Sequence, residues 1–325
     1  GAACAFPLTT TLLEKWGAKY LALAAGLILP VLLIALSLTT HFHFAVLIMF
    51  LEGVVCAQMN SAMNSQGVAV EIVGKQKILS KLHATFSLGM LLAALFSSQV
   101  MQETELINIH FIISGVIILL FLVFAYFGLL SQELKIATKP SGLLLPAAGT
   151  IWLGIIIFFG SIVEGSMYDW STIYLFEVAG ATKEFAPTGI AVVSGAMLIA
   201  RIFSDGWRNQ FGSMKVILFG GIIACLSLGL GLLIGGVYPT LISFGLVGLG
   251  MAAVSPCIYA ESAQYGHRAL AGVTTMGSIG ALLGPPMIGF AAHHLNLVGG
   301  MMLVLISAFI LALCSMQIKP FQAVS

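Results

Sequence analysis

Two carboxylates stand where an apolar chain would ordinarily carry none. Glu164 interrupts the run 149–174, GTIWLGIIIFFGSIVEGSMYDWSTIY, and Glu52 interrupts another apolar run at 44–65. An ionised side chain in hydrocarbon costs about 3 kcal/mol or more unless it faces water or a partner, so an acid there points to proton carriage or solute contact. Neighbouring residues set the depth. Trp152 and Trp170 are eighteen residues apart, which is ~27 Å on a helix and close to the ~30 Å between interfacial aromatic belts. Glu164 then lies about 9 Å inside the belt at Trp170, and Glu52 roughly 13 Å from the outer end of its run. Neither run offers a basic residue at that depth, and a desolvated carboxylate without a cation favours its protonated form. The expected role is proton uptake and release by Glu164, together with Glu52. The competing reading makes either acid a permanently protonated packing device, hydrogen-bonded to a neighbouring helix.

Other polar side chains share these runs. Gln58, Asn60 and Asn64 continue the segment of Glu52, with Asn60 and Asn64 four apart on one helical face. Amides donate and accept, which suits a polar uncharged solute, although amides also hold membrane helices together. Asp169 and Trp170 sit near the interface, as solute contacts or as ordinary interfacial residues. Tyr259, beside the Ser255-Pro256 kink, is a weaker cavity candidate, and His83 a candidate pH sensor or a solvated interfacial histidine. The five cysteines all lie in apolar segments without CxxC spacing and read as packing residues. His293 and His294 are adjacent and point apart on a helix, so no metal site is expected.

The elements that must position these residues follow from hydropathy. Hydrophobic residues make up 59% of the chain and charged ones 8%, against about 25% charged in soluble domains. The reading is an all-α polytopic membrane protein. Ten apolar runs fall at 20–40, 44–65, 83–101, 107–130, 149–173, 187–207, 214–235, 238–261, 269–291 and 297–317. Residues 1–13 would reach only about 20 Å as a helix. They read as the end of a span whose beginning is missing, and without that wall the chain as it stands is not expected to transport. Of the 13 Lys and Arg residues, twelve fall on one side of the alternating breaks and Lys183 opposite. That face is expected to be cytoplasmic, with the C-terminus inside.

The chain also repeats itself. Trp16-Gly17 is followed by Gly26, and Phe211-Gly212 by Gly221, at an offset of 195; SLGMLLA at 87–93 answers SIGALLG at 278–284 at an offset of 191. Two anchors within four residues indicate two parallel homologous halves, 1–130 and 148–325, joined by a cytoplasmic linker at 131–147. The second half carries six spans. By symmetry the first should carry six, with helix 1 and part of helix 2 absent here.

Six plus six spans in parallel halves resemble the major facilitator superfamily. Glu14-Lys15-Trp16-Gly17-Ala18-Lys19 resembles the charged turn between helices 2 and 3 of that superfamily. Arg201 and Asp205 through Phe211-Gly212 and Lys215 resemble its second copy, with Asn209 where the first copy has Glu14. AMNSQGVAVE at 62–71, HATFSLG at 83–89, EGSMYDWSTIYL at 164–175 and LLGPPMIG at 282–289 are similar to a bacterial inner-membrane subgroup termed YbjJ-like. The resemblance implies that helices 1, 4, 7 and 10 line a central cavity, which would place Glu52 and Glu164 on its walls from opposite halves. It also implies a gating role for Glu14, Lys15, Gly17, Lys19, Arg201, Asp205, Arg208, Gly212 and Lys215. Arg201 and Asp205, four apart, are expected to pair with one another. Gly280 and Gly284, followed by Pro285-Pro286, form a face of small residues with a breaker, suited to close helix contact.

The expected function is secondary transport of a small solute across the bacterial inner membrane by alternating access, proton-coupled, with a sugar-like or other polar solute favoured. The alternatives are an exporter of amphipathic compounds and a non-transporting solute sensor on the same scaffold. No P-loop, HExxH or GxSxG in a suitable setting is present, so an enzyme is not expected. The expected partners are the bilayer, the solute and H+. No cofactor, metal or nucleic acid is expected, and the state is read as a monomer.

Overall fold

Lipid leaves backbone polar groups no water to bond, so a chain this apolar must satisfy them within each segment, and the helix does so. The computed structural model describes residues 2–74, 79–103, 107–130, 150–265 and 267–317. They form eleven helices: α1 (Ala2–Leu38), α2 (Phe42–Gly74), α3 (Leu79–Glu103), α4 (Ile107–Gly128), α5 (Ile151–Glu177), α6 (Thr188–Phe211), α7 (Ser213–Ile234), α8 (Val237–Met251), α9 (Val254–Gln264), α10 (His267–His294) and α11 (Leu297–Ser315). Among the described residues eight stretches are long and apolar enough to cross a membrane, and α8 with α9 supplies one of them, Val237–Tyr259. Shorter apolar stretches, Ala84–Val100 and Thr188–Ser204, lie within α3 and α6. Together these ten coincide with the ten runs read from hydropathy. The predicted linker at 131–147 lies outside the described residues, as do the side chains of Glu14, Asn64, His83, Asp205 and Arg268 and residues Lys75, Lys77 and Lys319.

The repeat has a backbone counterpart. α1 is broken at Gly17, with φ 82° and ψ 164°, and Gly212, between α6 and α7, adopts φ 83° and ψ 150°. A residue with a Cβ is strained at such a positive φ, so glycine is required at both turns. The helix after each turn then packs alike. A Cβ on Gly26 would lie 2.6 Å from Leu122 of α4, and one on Gly221 2.8 Å from Leu311 of α11.

The chain divides into two compact units. The first holds Gly1–Leu82 with Val100–Ser141. Its core is Leu21, Ala22 and Ala62, with Met59 and Leu129 against them. Polar ties join its helices at one end: Lys19 Nζ donates to the Leu129 carbonyl at 3.1 Å, and the Gln66 amide bonds both the N–H and the carbonyl of Leu130, at 3.0 and 3.1 Å.

The second unit holds His83–Gln99 with Gly142–Ser325. Helices here approach through glycine. A Cβ on Gly280 of α10 would fall 2.2 Å from the Phe158 carbonyl oxygen of α5, and one on Gly284 3.1 Å from Ile162 Cα. The small-residue face predicted at 280–284 is therefore an α5–α10 contact. Gly220 of α7 and Gly250 of α8 meet backbone to backbone in the same way. A core of Leu153, Met167, Tyr174, Met197, Phe244 and Ile258 fills the space between.

Candidate functional site

Glu164 lies near the middle of α5, and α6 brings Arg201 against it. The Arg201 Nη2 to Glu164 Oε1 distance is 2.9 Å, with the arginine side chain 5% exposed and the glutamate 19%. This corrects two expectations. Glu164 does have a cation at its depth, and Arg201, counted among the basic residues of the cytoplasmic face, is buried within its helix.

The physical reason lies in Pro256. A proline has no N–H, so the carbonyl four residues before it, that of Ala252, loses its helical donor. The helix breaks there into α8 and α9, and Arg201 Nε donates to the Ala252 oxygen at 3.4 Å. Arg201 Nη1 donates to Ser87 Oγ on α3. The guanidinium fork thus joins a broken helix, a hydroxyl and a carboxylate, a task its fixed planar donors suit. Asp205, the partner expected for Arg201, has its side chain outside the described residues.

Tyr168 stands one turn beyond Glu164 on α5. Its hydroxyl lies 3.1 Å from Met197 Sδ and 3.5 Å from Glu164 Oε1, so its single proton serves one of them at a time. Its ring meets Phe86 of α3 edge-on at 6.3 Å between centroids. Glu164, Arg201, Ser255, Pro256 and Tyr259 line a cavity of about 180 Å³. Gly277 gives Tyr259 its room, since a Cβ there would be 3.2 Å from the phenol oxygen. The chemistry available is an ion pair of opposite charges, tied to four helices, on the wall of a small cavity of mixed polar and apolar lining.

Of the residues singled out from sequence, Glu164, Arg201 and Tyr259 come together here. Trp170 turns to α10, where its indole donates to the Pro285 carbonyl at 3.3 Å and packs on Gly289. Asp169 is exposed. Glu52, Gln58 and Asn60 belong to α2 in the first unit, half-buried, buried and exposed respectively. Lys15 and Lys215 are exposed. Ser87, Tyr168 and Met197 were missed. Tyr168 was within reach, being four residues from Glu164, while Ser87 was read only as part of the repeat.

Comparison with known proteins gives a consistent picture. The family model described as Major Facilitator Superfamily matches residues 1–267. An uncharacterized MFS-type transporter of Yersinia pestis is 29% identical over 300 residues, covering 90% of this chain and 77% of its own length. The uncharacterized transporter y4wD of Sinorhizobium fredii is 30% identical over 303 residues, covering 90% and 79%. The membrane protein MosC of Rhizobium meliloti is 24% identical over 306 residues, covering 92% and 74%. Among solved structures, a variant of the Escherichia coli fucose:proton symporter FucP superposes with a TM-score of 0.64 at 16% identity, covering 98% of this chain and 87% of that one. FucP in its outward conformation gives 0.63 at the same identity. At that identity the likeness concerns the fold.

Proposed function

The chain belongs to the major facilitator superfamily of membrane transporters, and on that footing we propose that it carries a small polar solute together with protons across the bacterial inner membrane. Glu164 is the proton carrier. The observation that carries this reading is the Glu164–Arg201 pair on the wall of a cavity. While the pair is closed, Arg201 compensates the carboxylate and Glu164 needs no proton. When α5 and α6 shift within the second unit during the transport cycle and the pair parts, an isolated carboxylate in that apolar segment keeps its place only by taking a proton. Closing the pair again expels it.

Around this step the remaining candidates take supporting roles. Tyr259 faces the solute in the same cavity. Gln58, Asn60 and Asn64 are the amide candidates for a hydroxylated solute, and Glu52 is a further acidic candidate of the first unit. Glu14, Lys15, Lys19, Asp205 and Lys215 belong to the inner gate, and the C-terminus is cytoplasmic. FucP, whose fold this chain shares, is a fucose:proton symporter, which is consistent with a sugar-like solute here.

The test is solute uptake by proteoliposomes under an imposed pH gradient, across neutral sugars, organic acids, amino acids and lipophilic cations. Uptake of one class that collapses with the gradient supports the reading. Uptake indifferent to the gradient makes the protein a facilitator, and solute binding without uptake makes it a sensor.

A further inference from the structure

The ion pair is one of two polar contacts that α5 and α6 make side by side. Glu164 and Tyr168 are four residues apart on α5, and Met197 and Arg201 four apart on α6, so each couple shares a helical face. They meet in reverse order, Glu164 with Arg201 at 2.9 Å and Tyr168 with Met197 at 3.1 Å. A shift of α6 against α5 that opens the first contact therefore opens the second with it. Both contacts also bear on one atom. Glu164 Oε1 accepts from Arg201 Nη2, and the same oxygen lies 3.5 Å from the Tyr168 hydroxyl. Good O–H···O bonds end at about 3.0 Å, so while the pair is closed the phenol proton belongs to the Met197 sulfur.

When the contacts open, the sulfur leaves with α6, whereas Tyr168 stays one turn from Glu164 because both belong to α5. Phe86 of α3, edge-on to the ring at 6.3 Å, supports the phenol independently of α6. We propose that Tyr168 replaces Arg201 as the donor to Glu164 Oε1 when the pair parts, and so positions the carboxyl to carry its proton on Oε2. The inference rests on the reading of Glu164 as the proton carrier. The step is balanced: the proton from the aqueous side goes to Oε2, Oε1 becomes the carbonyl oxygen of the neutral acid, and the phenol keeps its own proton throughout. A cation at Oε1 compensates a carboxylate. A neutral hydroxyl does not, and in an apolar segment the acid it bonds must be the uncharged one. The other titratable groups facing Glu164 are Arg201 of α6, which stands beside the phenol as well, and Tyr259 of α9.

Infrared difference spectra between alkaline and acid pH test this directly, since a neutral carboxyl shows its own C=O stretch. The Glu164 band is the one lost in Glu164→Gln and kept in Asp205→Asn, the side chain of Asp205 lying outside the described residues. Tyr168→Phe removes the hydroxyl and keeps the ring. It should move the Glu164 band to higher wavenumber, as a carbonyl oxygen that loses a donor does, while Tyr259→Phe leaves the band in place. Met197→Leu removes the competing sulfur at nearly constant volume. At a fixed pH it should raise the ratio of neutral to ionised Glu164 roughly fivefold, the equivalent of one neutral hydrogen bond. In a Tyr168→Phe background Met197→Leu should change nothing, because the sulfur acts only through the phenol.

A Glu164 band that stays in place in Tyr168→Phe, or a Met197→Leu effect that persists without the hydroxyl, overturns the proposal and leaves Glu164 as the proton carrier. Should Tyr168→Phe not fold, Met197→Leu decides alone, and an unchanged band area overturns the proposal. If no Glu164 band forms at any pH at which the protein stays folded, the proton-carrier reading falls and this inference falls with it.

Discussion

Replacing Arg201 with methionine removes a guanidinium that three helices besides its own depend on, and the cost can be assembled from the contacts. Breaking a buried ion pair from one side costs about 3–5 kcal/mol, and with side chains 5% and 19% exposed the Arg201–Glu164 pair qualifies as buried. The Ala252 carbonyl adds about 1–3 kcal/mol as an unsatisfied acceptor, because Pro256 has no N–H to offer it. Arg201→Met should therefore cost about 4–8 kcal/mol, or about 10–30 °C of melting temperature for a unit of this size. Glu164→Gln should cost about 3 kcal/mol, at the lower end because an amide oxygen still accepts from Nη2. The double variant should be less damaged than Arg201→Met alone, since no charge is left behind, giving a coupling of at least about 3 kcal/mol. Thermal unfolding in detergent, followed by helical circular dichroism, measures all four corners of the cycle. A double variant whose cost equals the sum of the singles would refute the reasoning, because the two side chains would then not interact.

Pro256→Ala restores an N–H four residues beyond Ala252, so in that background Arg201→Met should be milder by about 1–3 kcal/mol in the same melts. Gly280→Ala places a methyl 2.2 Å from the Phe158 oxygen and should destabilise by about 1–3 kcal/mol or more. Gly284→Ala, at 3.1 Å from Ile162, should cost less, and equal melting of the two would contradict the packing. Trp170→Phe loses the bond to Pro285 and should cost about 1 kcal/mol while leaving solute affinity unchanged. A weakened affinity at unchanged stability would place Trp170 in the solute cavity instead.

Spans and repeat were legible because each rests on a local rule. Twenty apolar residues must form a helix in lipid, and Gly17 and Gly212 mark turns that only glycine adopts without strain. The place of Glu164 within an apolar helix long enough to span was legible in the same way. Its partner was not. Arg201 lies seven residues before Arg208 and read as part of the basic inner face, yet Pro256 leaves a carbonyl that draws it into the interior. That step needs the spatial neighbourhood of α6, α8 and α9, which hydropathy does not encode. Trp170 illustrates the same limit: a lone interfacial tryptophan is compatible with belt, cavity or packing, and the Pro285 carbonyl that it bonds is visible only in the fold. The 280–284 glycines were readable as a contact face, though not the helix they would meet.

The most direct measurement is the number of protons moved per solute in proteoliposomes, read with a pH-sensitive dye inside the vesicles, for the wild type and Glu164→Gln. The account predicts one proton per solute for the wild type, and for Glu164→Gln solute exchange without any proton movement. Unchanged proton movement in Glu164→Gln would show that the Glu164–Arg201 pair is structural and that the proton travels elsewhere.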